Sequence, residues 1–221
     1  LYKKMKVAGT PDKIDFAKEK ANLPNIGEDK EKHIYPRVEI CSWIHKICRR
    51  GVENEPDLTA RLLTYIEKND LAHLYKYISD KGIIVLDPVK YEKMIEKDSK
   101  IRSSLLKMME TIKSYDELAV REVADYYSNY LSFMGDKEES LQYLKNNYNE
   151  SLTITNKIEN LLHQCRIGFF FLDRKLVNDS LQLVDRLIKK SSDWHLKNIT
   201  YAYTALYSVW NRDISAASSN F

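Results

Sequence analysis

The feature that most restricts the fold of this chain is a spacing of small side chains in its second half. They recur twelve residues apart, as Ser128 with Ser140, Gly168 with Ser180 and Ala205 with Ala217, and successive pairs are offset by 40 and then 37 residues. Between the members of each pair sits a polar turn: Gly135-Asp136-Lys137, Asp173-Arg174-Lys175 and Asn211-Arg212-Asp213. Four residues after each second small residue comes a hydrophobe, namely Leu144, Val184 and Phe221. Two antiparallel helices joined by a tight turn approach closely only where side chains are small, and the next hydrophobe covers the crossing. Helix-turn-helix units repeating every 34 to 40 residues or so mark a helical solenoid of the tetratricopeptide type. The spacing therefore predicts an all-α fold: a right-handed helical solenoid of tetratricopeptide-like hairpins over 114–221, preceded by additional N-terminal helices. The six small residues are the expected helix-crossing positions. Leu176, Val177, Leu181, Leu183, Val184, Leu187 and Ile188 form a stripe too wide for one neighbour, as stacking on both sides requires.

Composition agrees. Average usage would put roughly 26 Gly and Pro residues in a chain this long, and the sequence has 6 Gly and 5 Pro, too few for a turn-rich β-sandwich or barrel. With 43% hydrophobic residues the chain can bury a core, and no run of about 18 apolar residues exists to span a bilayer. It begins with Leu1 rather than Met and lacks the apolar stretch of a signal peptide, so a piece of a longer soluble chain is expected. Three cysteines are too few for a disulfide framework.

The first half divides into 1–50 and 51–113. A short helix is expected after Thr10-Pro11, then a solvated charged loop near 22–32 that includes Glu28-Asp29-Lys30-Glu31-Lys32, then a helix whose apolar stripe is Ile34, Ile40, Cys41, Ile44, Ile47 and Cys48, ending at Arg49-Arg50-Gly51. Leu58, Leu62, Leu63 and Ile66 mark the next helix, and Leu71, Leu74, Tyr75 and Ile78 a short one behind it. Ile83-Ile84-Val85-Leu86 suits a short strand or a buried connector. Asp87-Pro88 supplies a cap and a first-turn proline for a helix running to about residue 113, with Met94, Ile101, Leu105, Met108 and Ile112 on one seam.

Catalytic motifs are missing from the sequence: no glycine-rich phosphate loop, no Gly-x-Ser-x-Gly elbow, no His-Glu-x-x-His and no Cys-x-x-Cys. Cys41, His45 and Cys48 place two thiols and an imidazole on one helix, but structural zinc takes four ligands and both cysteines share a stripe with isoleucines, so core packing is expected. Glu138-Glu139 and Asp116-Glu117 fall at first turns or polar corners and are expected to be solvated. Arg49-Arg50, Lys189-Lys190 and Lys3-Lys4-Lys6 are separated by acids, so no cationic stripe for nucleic acid develops. Tyr126, Tyr127, Tyr130, Tyr143, Tyr148, Tyr201, Tyr203 and Tyr207 fall at helical spacing beside small residues, which favours packing between repeats over base stacking. Neither a catalytic residue, nor a metal, nor a cofactor, nor a small-molecule substrate is expected.

Several stretches also carry a resemblance: Lys68-Asn69-Asp70-Leu71-Ala72-His73-Leu74-Tyr75, Gly135-Asp136-Lys137-Glu138-Glu139-Ser140-Leu141, Cys165 through Asp173, Asp193-Trp194 with Asn198, and Arg212-Asp213-Ile214-Ser215-Ala216-Ala217. In order and spacing, this set resembles the N-terminal half of the non-ATPase regulatory subunit 6 family of the 26S proteasome, over roughly 57–221. Ser191-Ser192 stand where that family usually has a glycine pair, and Ala205 where it usually has glycine. The resemblance implies a non-catalytic scaffold subunit of the lid of the 19S regulatory particle, in cytoplasm and nucleus, with other proteasome lid and base subunits as partners and no nucleic acid or membrane. Such proteins continue into a winged-helix PCI module, which is absent from this sequence. The alternatives are the related scaffold subunit of the signalosome and, from another class, an RNA-binding helical repeat protein.

Overall fold

Each helix starts and stops on a local signal written in the chain. The computed structural model describes residues 35–112 and 117–220. The helix expected after Thr10-Pro11, the loop at 22–32, Ile34, Asp116 and Phe221 lie outside the described residues. Among those described there are ten α-helices and no strand.

Helices α1 (Val38–Arg50), α2 (Pro56–Lys68), α3 (Ala72–Asp80) and α4 (Pro88–Ile112) precede three helical hairpins. The hairpins pair α5 (Glu117–Met134) with α6 (Lys137–Glu150), α7 (Ile154–Phe170) with α8 (Arg174–Ile188), and α9 (Trp194–Trp210) with α10 (Ile214–Asn220). Helix α7 packs on α6 and on α9, and α9 packs on α8, so each hairpin stacks on the one before. This is the helical solenoid that the spacing predicts. Ile83 to Leu86 form a connector rather than a strand: Ile83 is buried while Val85 points to solvent. Asp87 Oδ1 accepts from the amides of Val89 and Lys90 at 3.0 and 3.4 Å, capping α4 as expected.

The hairpin turns share one device. Gly135, Leu172 and Arg212 all have positive φ, at 79°, 56° and 63°. The amide that follows each one reaches back five residues, Asp136 N to Leu131 O at 3.2 Å, Asp173 N to Gly168 O at 2.8 Å and Asp213 N to Ser208 O at 2.9 Å. That is a left-handed helix stop. The same three aspartates then cap the next helix, accepting from Glu139 N at 3.1 Å, Leu176 N at 3.0 Å and Ala216 N at 2.9 Å. One aspartate thus closes one helix and opens another, which makes these turns short.

Counting from the left-handed residue sets the register of the repeats. Seven residues before it and five after stand Ser128 and Ser140, Cys165 and Val177, and Ala205 and Ala217. In the second hairpin the equivalent positions are therefore Cys165 and Val177, and Gly168 and Ser180 each lie three residues further along. A Cβ placed on Gly168 would meet Val177 Cγ2 at 2.6 Å, and no atom of Ser180 is among the nearest to it. All six small residues are buried.

The apolar interior is not divided evenly. One cluster runs from Ile40, Ile44 and Ile47 of α1 through Leu62, Ile66, Leu74 and Leu105 to Tyr127, Tyr130 and Leu131 of α5. Hairpins two and three have two smaller clusters, one around Ile158, Leu161, Val184 and Leu196, the other around Cys165, Val177 and Leu181. The N-terminal helices also lie on the turn edge. A Cβ on Gly135 would come within 3.1 Å of Leu74 N, the Cys41 thiol donates to Phe170 O at 3.2 Å, and Tyr77 meets Phe171 edge-on at 5.1 Å, the Phe171 ring in turn meeting Phe170 at 4.9 Å.

Candidate functional site

Charge collects in the interior at one place, where α3, α4 and α5 meet the first hairpin turn. Asp98 lies on the apolar seam of α4, one turn after Met94, and is 4% exposed. Tyr130 Oη donates to its Oδ1 at 2.8 Å, and His73 Nε2 stands 3.1 Å from its Oδ2. Arg102, one turn further along α4, brings Nε to 2.8 Å from the same Oδ2 as an ion pair rather than an aligned hydrogen bond. Its Nη1 and Nη2 each donate to Asp136 Oδ2 at 3.1 Å, Nη1 also pairs with Glu139, and Nη2 lies 2.8 Å from His73 Nε2. Tyr127 Oη donates to Glu139 Oε1 at 3.2 Å. Asp136 thus caps α6 with one oxygen and holds Arg102 with the other.

Burial alone would raise the Asp98 pKa, but the contacts with His73 and with the Arg102 cation outweigh it and hold the carboxyl below its usual range. Burial likewise works against the Arg102 charge, and Asp98 and Asp136 more than restore it. Desolvation and the neighbouring Asp98 push the Tyr130 phenol upward. A buried pair like this contributes little net stability over an apolar core, yet removing one partner strands the other. Its effect is geometric: four elements satisfy one another in one arrangement only. The carboxylates already hold Arg102, His73, tyrosine hydroxyls and a helix amide. The arrangement is a joint, and among the described residues no cluster of three His, Cys, Asp or Glu is placed to hold a metal ion.

The joint continues along the turn edge. Lys137 Nζ donates to Asp173 Oδ2 at 2.8 Å, linking the first turn to the second, and sits 5.9 Å from the Phe171 ring. That lysine, then the Leu176 amide, holds the Asp173 pKa down. Arg174 lies 5.2 Å over Trp210, linking the second hairpin to the third.

Several expectations change. Cys48 is exposed and does not share the core with Ile40, Ile44 and Ile47, because the stripe turns away from it at the end of α1. His45 is exposed as well, and Cys41 is part-buried against the turn at Phe170. Glu138 and Glu139 are both exposed, as expected, and Glu139 in addition reaches Arg102 and Tyr127. Tyr127 and Tyr130 are buried, and Tyr127 meets Tyr143 edge-on at 4.8 Å, while Tyr201 faces solvent. Asp98 and Arg102 escaped the sequence reading, although a charge on an apolar seam with its opposite four residues on is a usable signal.

What these helices build is a stack of hairpins locked to an N-terminal unit through their turns, which defines a helical-repeat protein. The family model described as 26S proteasome subunit RPN7 matches residues 87–221, and the chain belongs to that family. Among curated relatives, the 26S proteasome non-ATPase regulatory subunit 6 of Oryza sativa is 28% identical over 199 residues, 89% of this chain and 51% of its own. The 26S proteasome regulatory subunit rpn7 of Schizosaccharomyces pombe is 28% identical over 173 residues, 71% of this chain and 41% of its own. The corresponding subunit of Saccharomyces cerevisiae is 20% identical over 190 residues, 76% of this chain and 44% of its own. The chain spans about half the length of the curated relatives it matches. No helix among the described residues is long and apolar enough to cross a membrane.

Proposed function

We propose that this chain acts as a non-catalytic scaffold in the lid of the 19S regulatory particle, supporting ubiquitin-dependent degradation through contacts with other proteasome lid and base subunits. The observation that carries this reading is the family match, which runs from the cap of α4 through all three hairpins. Helical stacks present wide surfaces for protein contacts, and the relatives are themselves named non-ATPase regulatory subunits. The proposal includes action in cytoplasm and nucleus without nucleic acid, membrane or small-molecule substrate. It also keeps 114–221 as the repeat unit, with a right-handed stack and Ser128, Ser140, Gly168, Ser180, Ala205 and Ala217 as close-packed positions between its helices. Affinity purification of the full-length protein tests the reading: lid subunits should co-purify in stoichiometric amounts. Recovery of the protein without any of them would refute it, as would peptidase, ATPase or deubiquitinating turnover that survives removal of contaminating proteasome.

A further inference from the structure

Helix α7 carries a histidine with no solvent to titrate into. His163 is 5% exposed and faces the first hairpin, where its Nε2 lies 2.8 Å from Ser132 Oγ on α5. The Ser132 hydroxyl donates its own proton to Ser128 O at 2.9 Å, so only its lone pairs remain for the ring, and His163 donates through Nε2–H. The bond joins α5, whose buried tyrosines belong to the large N-terminal cluster, to α7, which carries residues of the smaller clusters and reaches the large one only at its end, through Phe170.

We propose that His163 and Ser132 form a proton-sensitive latch between the first and second hairpins: with His163 neutral the seam is closed, and protonation of the ring opens it. A proton added at Nδ1 would create a cation in an apolar site. The charged group acting on the ring is Arg166 of its own helix, also a cation, whose Nε finds no acceptor. From α5 the facing group is the neutral Ser132, and hairpin two meets α1 through the thiol of Cys41 and α3 through Tyr77, both neutral. The carboxylates of this region, Asp98, Asp136, Glu139 and Asp173, are held by Arg102 and Lys137 at the turn edge. Glu159, one turn before His163 on α7, is exposed to solvent, and burial followed by repulsion from Arg166 lowers the imidazole pKa well below its ordinary value.

The sign follows. An exposed imidazole titrates near about 6.5, so the opened form binds the proton that the closed form refuses. The closed state is fully favoured above that pH and loses about tenfold in its closing constant per pH unit below it. Lowering the pH from 7.5 to 5.5 should raise the opening constant about tenfold.

Native-state hydrogen exchange of the 221-residue chain at the two pH values, corrected for intrinsic rates, tests this. The expected result is a drop of about tenfold in the protection of α7, through an opening smaller than global unfolding, and no such drop in His163→Gln, which keeps a donor for Ser132; α2 and α3, which exchange through the global unfolding that also exposes His163, fall by a like factor in the parent only. The same loss in His163→Gln, or exchange of α7 only through the global unfolding that releases α2 and α3, would overturn the latch. Should His163→Gln fold poorly, the imidazole resonances of the unaltered chain decide: titration of His163 near 6.5 in the folded state is incompatible with the proposal.

Discussion

Leu172 shows at the residue scale how the repeats tolerate an awkward backbone. It occupies the left-handed stop that Gly135 fills in the first hairpin, with φ 56° and 52% of its surface in water. A left-handed conformation costs an L-residue about 1–2 kcal/mol, part of which glycine returns through its greater freedom when unfolded. Leu172→Gly should therefore stabilise the chain by about 0.5–1 kcal/mol, read as a higher Tm by circular dichroism. An unchanged or lower Tm would mean that the leucine side chain contributes packing which its exposure conceals. Gly168 is the opposite case. Its missing Cβ is needed because Val177 Cγ2 and two backbone atoms, Val177 N and Asp173 O, close around it. Gly168→Ala should cost about 1–3 kcal/mol by overpacking, and Gly168→Leu more; melts matching the parent would show that the crossing can open. The sequence located Gly168 as a tight spot but paired it with Ser180, because both serine and glycine count as small. Cys165 and Val177, which hold the equivalent places, do not announce themselves by size.

At the scale of the element, most of the fold was legible because each helix carries its own boundaries. Asp87-Pro88 starts α4, Arg50-Gly51 ends α1, and the three aspartate turns divide each hairpin into its two helices. What the sequence did not disclose is how α4 meets α5 and α6, since a long-range pair such as Asp98 with Tyr130 or Arg102 with Asp136 leaves no mark in local periodicity. The charge on the α4 seam was the sole hint, and the seam itself was drawn through Met94, Ile101 and Leu105 without it. Arg102→Met strands the buried Asp98 and loosens Asp136, so a loss of about 3–5 kcal/mol is expected. Asp98→Asn should restore part of that loss in the double variant, because it removes the unpaired charge. Two losses that simply add would mean that the two residues act separately. The acid limb follows from the same contacts. Asp98 and Asp173 are both held below the ordinary carboxylate range, so their contribution is complete above about pH 4 and vanishes as pH falls through their folded values. In urea titrations at pH 5, 4 and 3, Lys137→Gln should show a shallower acid limb than the parent, since Asp173 then loses its main support.

For the whole molecule, the distribution of apolar contacts decides the order in which parts come apart. The residue-113 boundary expected from the sequence follows the repeat spacing, but the large cluster crosses it, joining α1 to α4 with the buried tyrosines of α5 and reaching Phe170. The turn-edge links, Arg102 to Asp136 and Lys137 to Asp173, reinforce that union at hairpins one and two. Hairpin three is attached differently: α9 rests on α7 and α8 through Tyr203, Tyr207 and Trp210, while Trp194, Tyr201, Leu206 and Val209 on the same helix face solvent. Stability is therefore graded along the chain, with little buried area per helix at the C-terminal side. Native-state exchange in increasing urea at neutral pH should find α2, α3 and α5 protected by the global unfolding free energy, α7 and α8 by less, and α9 and α10 by least. The gradient should survive Lys137→Gln, because an ion pair with both side chains about one third exposed is worth no more than about 1 kcal/mol, and it should collapse in Arg102→Met, which loosens the best-protected part. Equal protection of α2 and α9 would show instead that the repeats unfold together with the N-terminal unit, and that the smaller clusters are coupled to the large one more tightly than their contacts indicate.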